Sequence, residues 1–256
     1  MIFAIDDNPE YSDFWPTNSE ICRKKLGVTP VLFHITNEDS DFYEDDFGLV
    51  KKVKALTNIN TGFQAQIFRM YGTKFFPNDI CMTNDIDMLL FNRDYLEYNL
   101  KDLDDDSLVI FASDGYDSSR PECSPIEYSV ERYPICYITG KGSIFSQLLN
   151  TDVSFLEYCL RLLSLELGWD TDEIYFGSQV GKNEIINVHK IKRGISSNFY
   201  TPGRIEKHNF TDLNVSKLDL NGVIDIEYFI DCHCARPYSI YEKEINNLKN
   251  LILKTI

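Results

Sequence analysis

The sequence predicts an α/β protein with a central, mostly parallel sheet flanked by helices. Short apolar runs rich in β-branched and aromatic residues recur, as in Ile2-Phe3-Ala4-Ile5, Val31-Leu32-Phe33-His34-Ile35 and Leu108-Val109-Ile110-Phe111-Ala112. Continuous runs of that length suit strands buried on both faces. Segments of helical spacing alternate with them through the first half, the pattern of a parallel sheet. Polar and acidic groups (Asp6-Asp7-Asn8, Thr36-Asn37, Asp85 and Asp87) follow the predicted strands, and ligands on such sheets bind beyond the C-terminal strand ends. With 256 residues, no repeat and no linker, residues 1–256 read as a single domain.

In chain order, Ile2 to Ile5 is the first strand. A helix follows near Thr17 to Lys25, with Thr17 or Asn18 as N-cap and Gly27 beyond its end. Val28 to Thr36 is the second strand, Asn37 to Asp46 an acidic solvated loop, and Gly48 to Leu56 a third strand. Gly62 to Phe75 is helical and places Gln66, Arg69 and Met70 on one face. A strand carrying Asp85 and Asp87 comes next, then a helix from Arg93 to Leu103 and strands at Ser107 to Ser113 and Pro134 to Thr139. The last of these opens into the glycine turn Gly140-Lys141-Gly142-Ser143 and a helix from Ile144. Ser154 to Leu167 is the clearest helix, with a broad apolar face of Phe155, Leu156, Cys159, Leu160, Leu162 and Leu163. Beyond Val180 the pattern weakens to short strands and loops, until an amphipathic helix from Tyr241 carries Ile245, Leu248 and Ile252.

Composition narrows the function classes. The 25 Lys and Arg against 40 Asp and Glu give a formal net charge of −15, which argues against nucleic acid as a partner. Seven Cys without framework spacing indicate free thiols in a reducing compartment. A strand-like start leaves no room for a signal peptide, and no apolar run reaches the roughly 18–20 residues of a membrane helix. The expectation is a cytoplasmic protein without a membrane span, in which the sequons at Asn209 and Asn214 are idle.

The chemistry concentrates at Asp85-Ile86-Asp87. In a strand, side chains at i and i+2 share a face, so the two carboxylates would project together while Ile86 packs behind them. Two hard oxygen ligands at a strand end suit Mn²⁺ or Mg²⁺, with phosphate oxygens completing the shell. The competing reading is a simple turn after a strand. The same spacing occurs at Asp39/Asp41 and Asp104/Asp106, in charge-dense stretches read as solvated loops, and at Asp170/Asp172. The segment Gly140-Lys141-Gly142-Ser143 lacks the phosphate-loop pattern. It either caps a helix or brings backbone close to a sugar.

Four blocks, Thr61 to Tyr71, Asp85-Ile86-Asp87, Trp169 to Glu173 and His233-Cys234-Ala235-Arg236-Pro237-Tyr238, stand in an order that resembles GT-A-fold glycosyltransferases. More narrowly, the chain resembles small glycosyltransferases of large algal viruses that decorate capsid glycans. The resemblance implies a GT-A fold and a nucleotide-sugar donor, commonly uridine diphosphate-linked, held through Mn²⁺ or Mg²⁺. It implies a glycan or glycoprotein acceptor. Asp85, Asp87 and His233 become metal ligands, with Asp85 also reaching ribose or sugar. Ala4, Asp6, Asn8 and Tyr11 fall on the nucleoside-binding edge, Arg69 contacts the donor, and Arg236 faces the diphosphate. The tail departs from the family's H-x-x-G-x-x-K-P-W pattern: it is shorter, lacks the glycine and carries Arg-Pro-Tyr.

Each of these residues has an ordinary alternative. His233 could be a core or loop histidine, and Cys232 and Cys234 beside it lack the second ligand pair of a zinc site. Arg69 could be a surface ion-pair partner, and Tyr11 a plain loop tyrosine. Asp172 and Glu173 match the position that faces the transferred sugar or acceptor, where an inverting enzyme needs a carboxylate base; they equally suit the electropositive start of a helix. The resemblance at His233 leans towards retention of configuration. Two other classes remain open: a Mg²⁺-dependent phosphotransferase or phosphatase using Asp6 after its strand, and a non-catalytic nucleotide-sugar-binding module.

Overall fold

The run after Met1 forms β1 (Ile2–Ile5) in a computed structural model that describes residues 1–38, 46–116, 131–192, 203–205, 207 and 229–255. β1 pairs in parallel with β2 (Val31–Thr36), which pairs in parallel with β3 (Leu49–Lys54) at the sheet edge. Lys51, Lys52 and Lys54 are exposed on that edge, where charge discourages pairing with another chain. On its other side β1 meets Thr83 through a parallel bridge. There the sheet continues as β4 (Ile80–Met82), β7 (Ile138–Lys141), β6 (Ser107–Phe111) and β8 (Asn187–Ile191).

The sheet is mostly parallel, as expected, with β7 alone running antiparallel to its neighbours β4 and β6. A second, smaller sheet has the order β5 (Met88–Leu90), β10 (Phe229–His233) and β9 (Gly203–Ile205).

Alternation along β1 and β2 explains why both faces are dry. Phe3, Ile5 and Leu32 enter one core with Trp15, Leu89, Cys232, Ile245, Leu248 and Ile252. Ile2, Val31, Phe33 and Ile35 enter the other with Ile67, Ile110, Phe145 and Phe176. The first face is covered by α2 (Trp15–Ile21) and α8 (Tyr238–Lys254), the second by α3 (Thr61–Tyr71), α5 (Gly142–Leu149), α6 (Phe155–Leu163) and α7 (Thr171–Lys182). Two more helices, α1 (Pro9–Ser12) and α4 (Arg93–Leu100), follow β1 and β5.

Several boundaries differ from the sequence reading for local reasons. α2 starts at Trp15, so Thr17 and Asn18 are buried inside it, and a π-helical stretch Cys22–Leu26 carries the chain to Gly27 at φ 70°. The predicted strand at Pro134 begins only at Ile138, after Tyr137 has turned through φ 64°. Gly140 and Lys141 belong to β7, and α5 starts at Gly142 without an intervening turn. Gly142 N donates to Asp79 O at 3.1 Å, and a Cβ there would lie 2.3 Å from Phe76 O. The glycine therefore permits backbone contact within the core, not contact with a sugar. In α6, Tyr158, Cys159 and Leu162 are buried, whereas Leu156, Leu160 and Leu163 face outward. Asp104 and Asp106 are exposed, as expected. Asp39, Asp41 and both sequons lie outside the described residues.

Candidate active site

Asp85 and Asp87 do not lie in a strand. They occupy the connection between β4 and β5, two short strands in different sheets, and Met88 N donates to Asp85 O at 3.1 Å to close a turn. The two-residue alternation predicted for them therefore fails. Apolar Ile80-Cys81-Met82 and Met88-Leu89-Leu90 on either side gave the impression of one longer strand.

The connection is nevertheless held at most of its residues. Asn84 N donates to Ile2 O at 3.0 Å, and Asn84 Nδ2 to Met88 O at 3.0 Å. The buried Asn18 amide of α2 donates to Ile86 O at 2.5 Å, and Cys234 N to Asp87 O at 2.9 Å. Buried backbone groups held in this way fix a loop nearly as firmly as a ladder does. The outcome is asymmetric: the Asp87 side chain is 7% exposed and that of Asp85 37%.

β10 delivers the other half of the site. It pairs antiparallel with β5 in a register that sets His233 opposite Met88, one residue after Asp87. A two-pronged ion pair from Arg204 to Asp231, at 2.8 and 2.6 Å, locks β10 to β9. Three cationic or protonatable groups converge on Asp87 Oδ2: Arg236 Nε at 3.2 Å, Lys207 Nζ at 3.3 Å and His233 Nε2 at 3.4 Å. Burial alone would raise the Asp87 pKa, but the hydrogen bond from His233 and the charges of His233 and Lys207 outweigh it and hold the carboxyl below its usual range. Arg236 also lies over the Tyr11 ring, 4.8 Å from its centroid, and burial lowers its pKa.

Asp85 is turned towards Arg69, with which it forms an ion pair. Arg69 reaches back with its second nitrogen to Asp172 Oδ2 at 2.9 Å. Asp172 is fully buried at the start of α7, and its Oδ1 accepts from Gln66 Nε2 and from Glu173 N, each at 2.9 Å. Burial pushes its pKa up to about 7, against the opposing pull of Arg69. Glu173 accepts from the Tyr116 hydroxyl and from Arg132 Nε, the latter at 2.7 Å, and burial raises its pKa too. Arg132 also binds Asp170 at 3.0 Å.

At the end of β1, Asp6 accepts from Thr61 Oγ1 at 2.8 Å and from Asn8 N at 3.2 Å, while Asn8 Oδ1 caps α1 through Glu10 N at 3.0 Å. Ala4, Asp6, Asn8, Tyr11, Arg69, Asp85, Asp87, Asp172, Glu173, His233 and Arg236 all line one cavity of about 560 Å³. That volume suits a cofactor-sized ligand. A larger, more apolar cavity of about 800 Å³ opens at the other end of β1, against α4, and holds none of these residues.

Sequence reasoning missed Lys207, Arg132, Tyr116, Gln66, Trp169, Asn60 and Gly62 as cavity residues. Lys207 and Arg132 belong to no pattern. Gly62 and Gln66 lie in the block Thr61 to Tyr71 and Trp169 in the block Trp169 to Glu173, so these three were within reach.

The donor set suits a divalent cation in part. Asp87 oxygen and His233 nitrogen lie side by side and are the ligand types that Mn²⁺ accepts. Asp85 is engaged by Arg69 instead, and among the described residues no group of three His, Cys, Asp or Glu side chains converges on one point. Of the three ligands expected from the sequence, Asp87 and His233 are adjacent and Asp85 is paired with Arg69.

No protein-family model and no curated protein sequence matches the chain. Among solved structures it is similar to the galactosyltransferase LgtC in complex with donor and acceptor sugar analogues. That match has a TM-score of 0.51 and 11% identity, over 96% of this chain and 95% of LgtC. It is similar also to the bifunctional glycosyltransferase WbbM (TM-score 0.49, 11% identity, 99% of this chain and 50% of WbbM). A third is the glycosyltransferase GlyE of Streptococcus pneumoniae TIGR4 (TM-score 0.46, 11% identity, 99% of this chain and 62% of GlyE). The LgtC match runs nearly the full length of both chains, and with the mostly parallel sheet flanked by helices it identifies the chain's architecture as the GT-A fold of glycosyltransferases.

Proposed function

We propose that this chain is a single-domain, metal-dependent glycosyltransferase that moves a sugar from a uridine diphosphate-linked donor to a glycan or glycoprotein acceptor, with retention of configuration. One observation carries the reading. Arg69, Lys207, His233 and Arg236 gather around Asp85 and Asp87 at the mouth of the first strands, so a strongly acidic chain presents its cations where a diphosphate would lie.

The nucleoside is assigned to the β1 end of the cavity, with Tyr11 beside the base and Ala4, Asp6 and Asn8 along its edge. Lys207 and Arg236 then take the diphosphate, exchanging their contacts with Asp87 for charge-assisted bonds to phosphate oxygens. Charge builds on that leaving group as the glycosidic bond breaks, and cations already in place stabilise it without reorganisation. Asp87 and His233 would hold Mn²⁺ or Mg²⁺, which when bound supplies Lewis-acid stabilisation to the same oxygens.

Occupancy of the carboxylates favours retention. An inverting reaction needs a carboxylate free to deprotonate the acceptor hydroxyl. Asp172 is fully buried with both oxygens bonded, and both oxygens of Glu173 are bonded to Tyr116 and Arg132. They act as positioning residues for Arg69 and for the sugar end of the cavity, and the leaving phosphate accepts the proton on the same face. Asp6, the nucleophile a phosphotransferase would need, has its oxygens bonded to Thr61 and Asn8. A capsid-glycan acceptor rests on the sequence resemblance alone, and a cytoplasmic location on the cysteine composition.

The test is release of uridine diphosphate from a panel of its sugar conjugates, with Mn²⁺ present or removed by chelation. Metal-dependent release with at least one donor is the expected result. Hydrolysis of simple phosphate esters with no release from any sugar nucleotide would overturn the reading.

A further inference from the structure

Trp169, Asp170, Tyr116 and Arg132 line the same cavity as the cations and Gln66, and the proposed donor contacts use none of these four. Trp169 is 69% exposed, whereas Trp15, the chain's other tryptophan, is fully buried. An indole left in water beside a polar cavity is an unspent apolar surface.

Its backbone is nonetheless fixed. The Trp169 carbonyl accepts from Gln66 Nε2, an amide that also donates to buried Asp172. Gly168 turns the chain at φ 67°, and Thr171 Oγ1 donates to Gly168 O at 2.6 Å. A platform anchored in advance forfeits little freedom on binding.

The charges around it limit what can sit there. Arg69 is shared by Asp85 and Asp172, and Arg132 by Asp170 and Glu173, so two guanidiniums face four carboxylates. With both guanidiniums engaged by protein carboxylates, neither favours an anionic sugar, while Asp170 and the Tyr116 hydroxyl suit sugar hydroxyls.

We propose that Trp169 is the surface on which the acceptor sugar stacks through the C–H face of its ring, and that this acceptor is an uncharged pyranoside. The inference rests on the glycosyltransferase reading, which assigns the other cavity residues to the donor and leaves these four for the acceptor.

The two tryptophans make the test direct, since only Trp169 meets solvent. The full chain, with uridine diphosphate and Mn²⁺, is titrated with methyl β-glucopyranoside, methyl β-galactopyranoside and methyl β-glucuronide. Tryptophan emission and calorimetric heat are recorded together.

At least one uncharged glycoside should change the emission saturably, and the glucuronide should bind at least fivefold more weakly. Trp169→Ala should weaken the uncharged glycoside about tenfold, the scale of one stacked aromatic face. Trp169→Phe should restore most of that affinity without the emission change, and both variants should melt with the wild type. Unchanged emission with both neutral glycosides while uridine diphosphate still binds overturns the acceptor platform alone. Equal binding of the glucuronide overturns the uncharged class. Failure of uridine diphosphate to bind overturns the donor reading, whereas a glycoside response from Trp169 without it still supports a sugar platform.

Discussion

Replacing Asp172 by Asn separates what this carboxylate costs the fold from what it does for the site. Asp172 is fully buried, and burial raises its pKa from 3.8 to about 7. In the unfolded chain it ionises near its ordinary value, so between about pH 4 and 7 the folded state holds a proton that the unfolded state has released. Stability attached to this group is therefore fully present below the unfolded pKa, falls as pH rises through that window, and levels off above it. A rise of about three units corresponds to about 4 kcal/mol at pH 8.

Asn keeps the shape and mimics the neutral acid. Asp172→Asn should thus match the wild type near pH 4 and exceed it by up to about 4 kcal/mol at pH 8. Denaturant unfolding of both proteins from pH 4 to 8.5 measures the difference at each pH. Arg69 then keeps only Asp85 as an anionic partner, so turnover should drop about tenfold, the worth of one charge-assisted bond. A variant that loses stability relative to the wild type as pH rises would refute the reasoning, since that is the behaviour of a carboxylate held below its usual range.

Three further outcomes follow from other contacts. Lys207→Ala and Arg236→Ala should each weaken uridine diphosphate binding by about tenfold in calorimetry, because each removes a charge-assisted bond worth about 1.5–3 kcal/mol. Their melting temperatures should change little, as both side chains are about one-third exposed. Asn18→Leu should cost about 1–3 kcal/mol of stability and lower turnover although Asn18 lies outside the cavity, because it strands the Ile86 carbonyl that fixes the Asp85–Asp87 connection. Gly142→Ala should destabilise by about 1–3 kcal/mol by driving a methyl group into Phe76 O and Thr73 O, with donor affinity unchanged in whatever folds.

What could be read from the sequence was governed by how local each cause is. Ile2 to Ile5 is apolar on both faces, and Val31, Leu32, Phe33 and Ile35 make the second strand nearly so, so their burial is written in their composition. The terminal helix is equally legible: Ile245, Leu248 and Ile252 are all fully buried. Asp85-Ile86-Asp87 was found but misplaced, because no glycine or proline marks the turn between its flanking apolar runs. The outward Leu156, Leu160 and Leu163 were counted as core because an apolar residue does not declare which side it faces. Least legible was the state of the carboxylates. Asp172 and Glu173 look like ordinary first-turn acids, and their burial depends on Gln66, Arg69, Tyr116 and Arg132, which only the fold brings close. Lys207 carries no pattern at all, and its place beside Asp87 is purely tertiary.

The central claim is that Asp87, with His233, anchors a metal-linked diphosphate in this cavity. Calorimetric titration of uridine diphosphate into the wild type, Asp87→Ala and His233→Ala, each with and without Mn²⁺, tests it most directly. The wild type should bind at least tenfold more tightly when Mn²⁺ is present, and both variants should lose that gain. Equal affinity with and without Mn²⁺ in all three proteins, or no binding by the wild type, would contradict it.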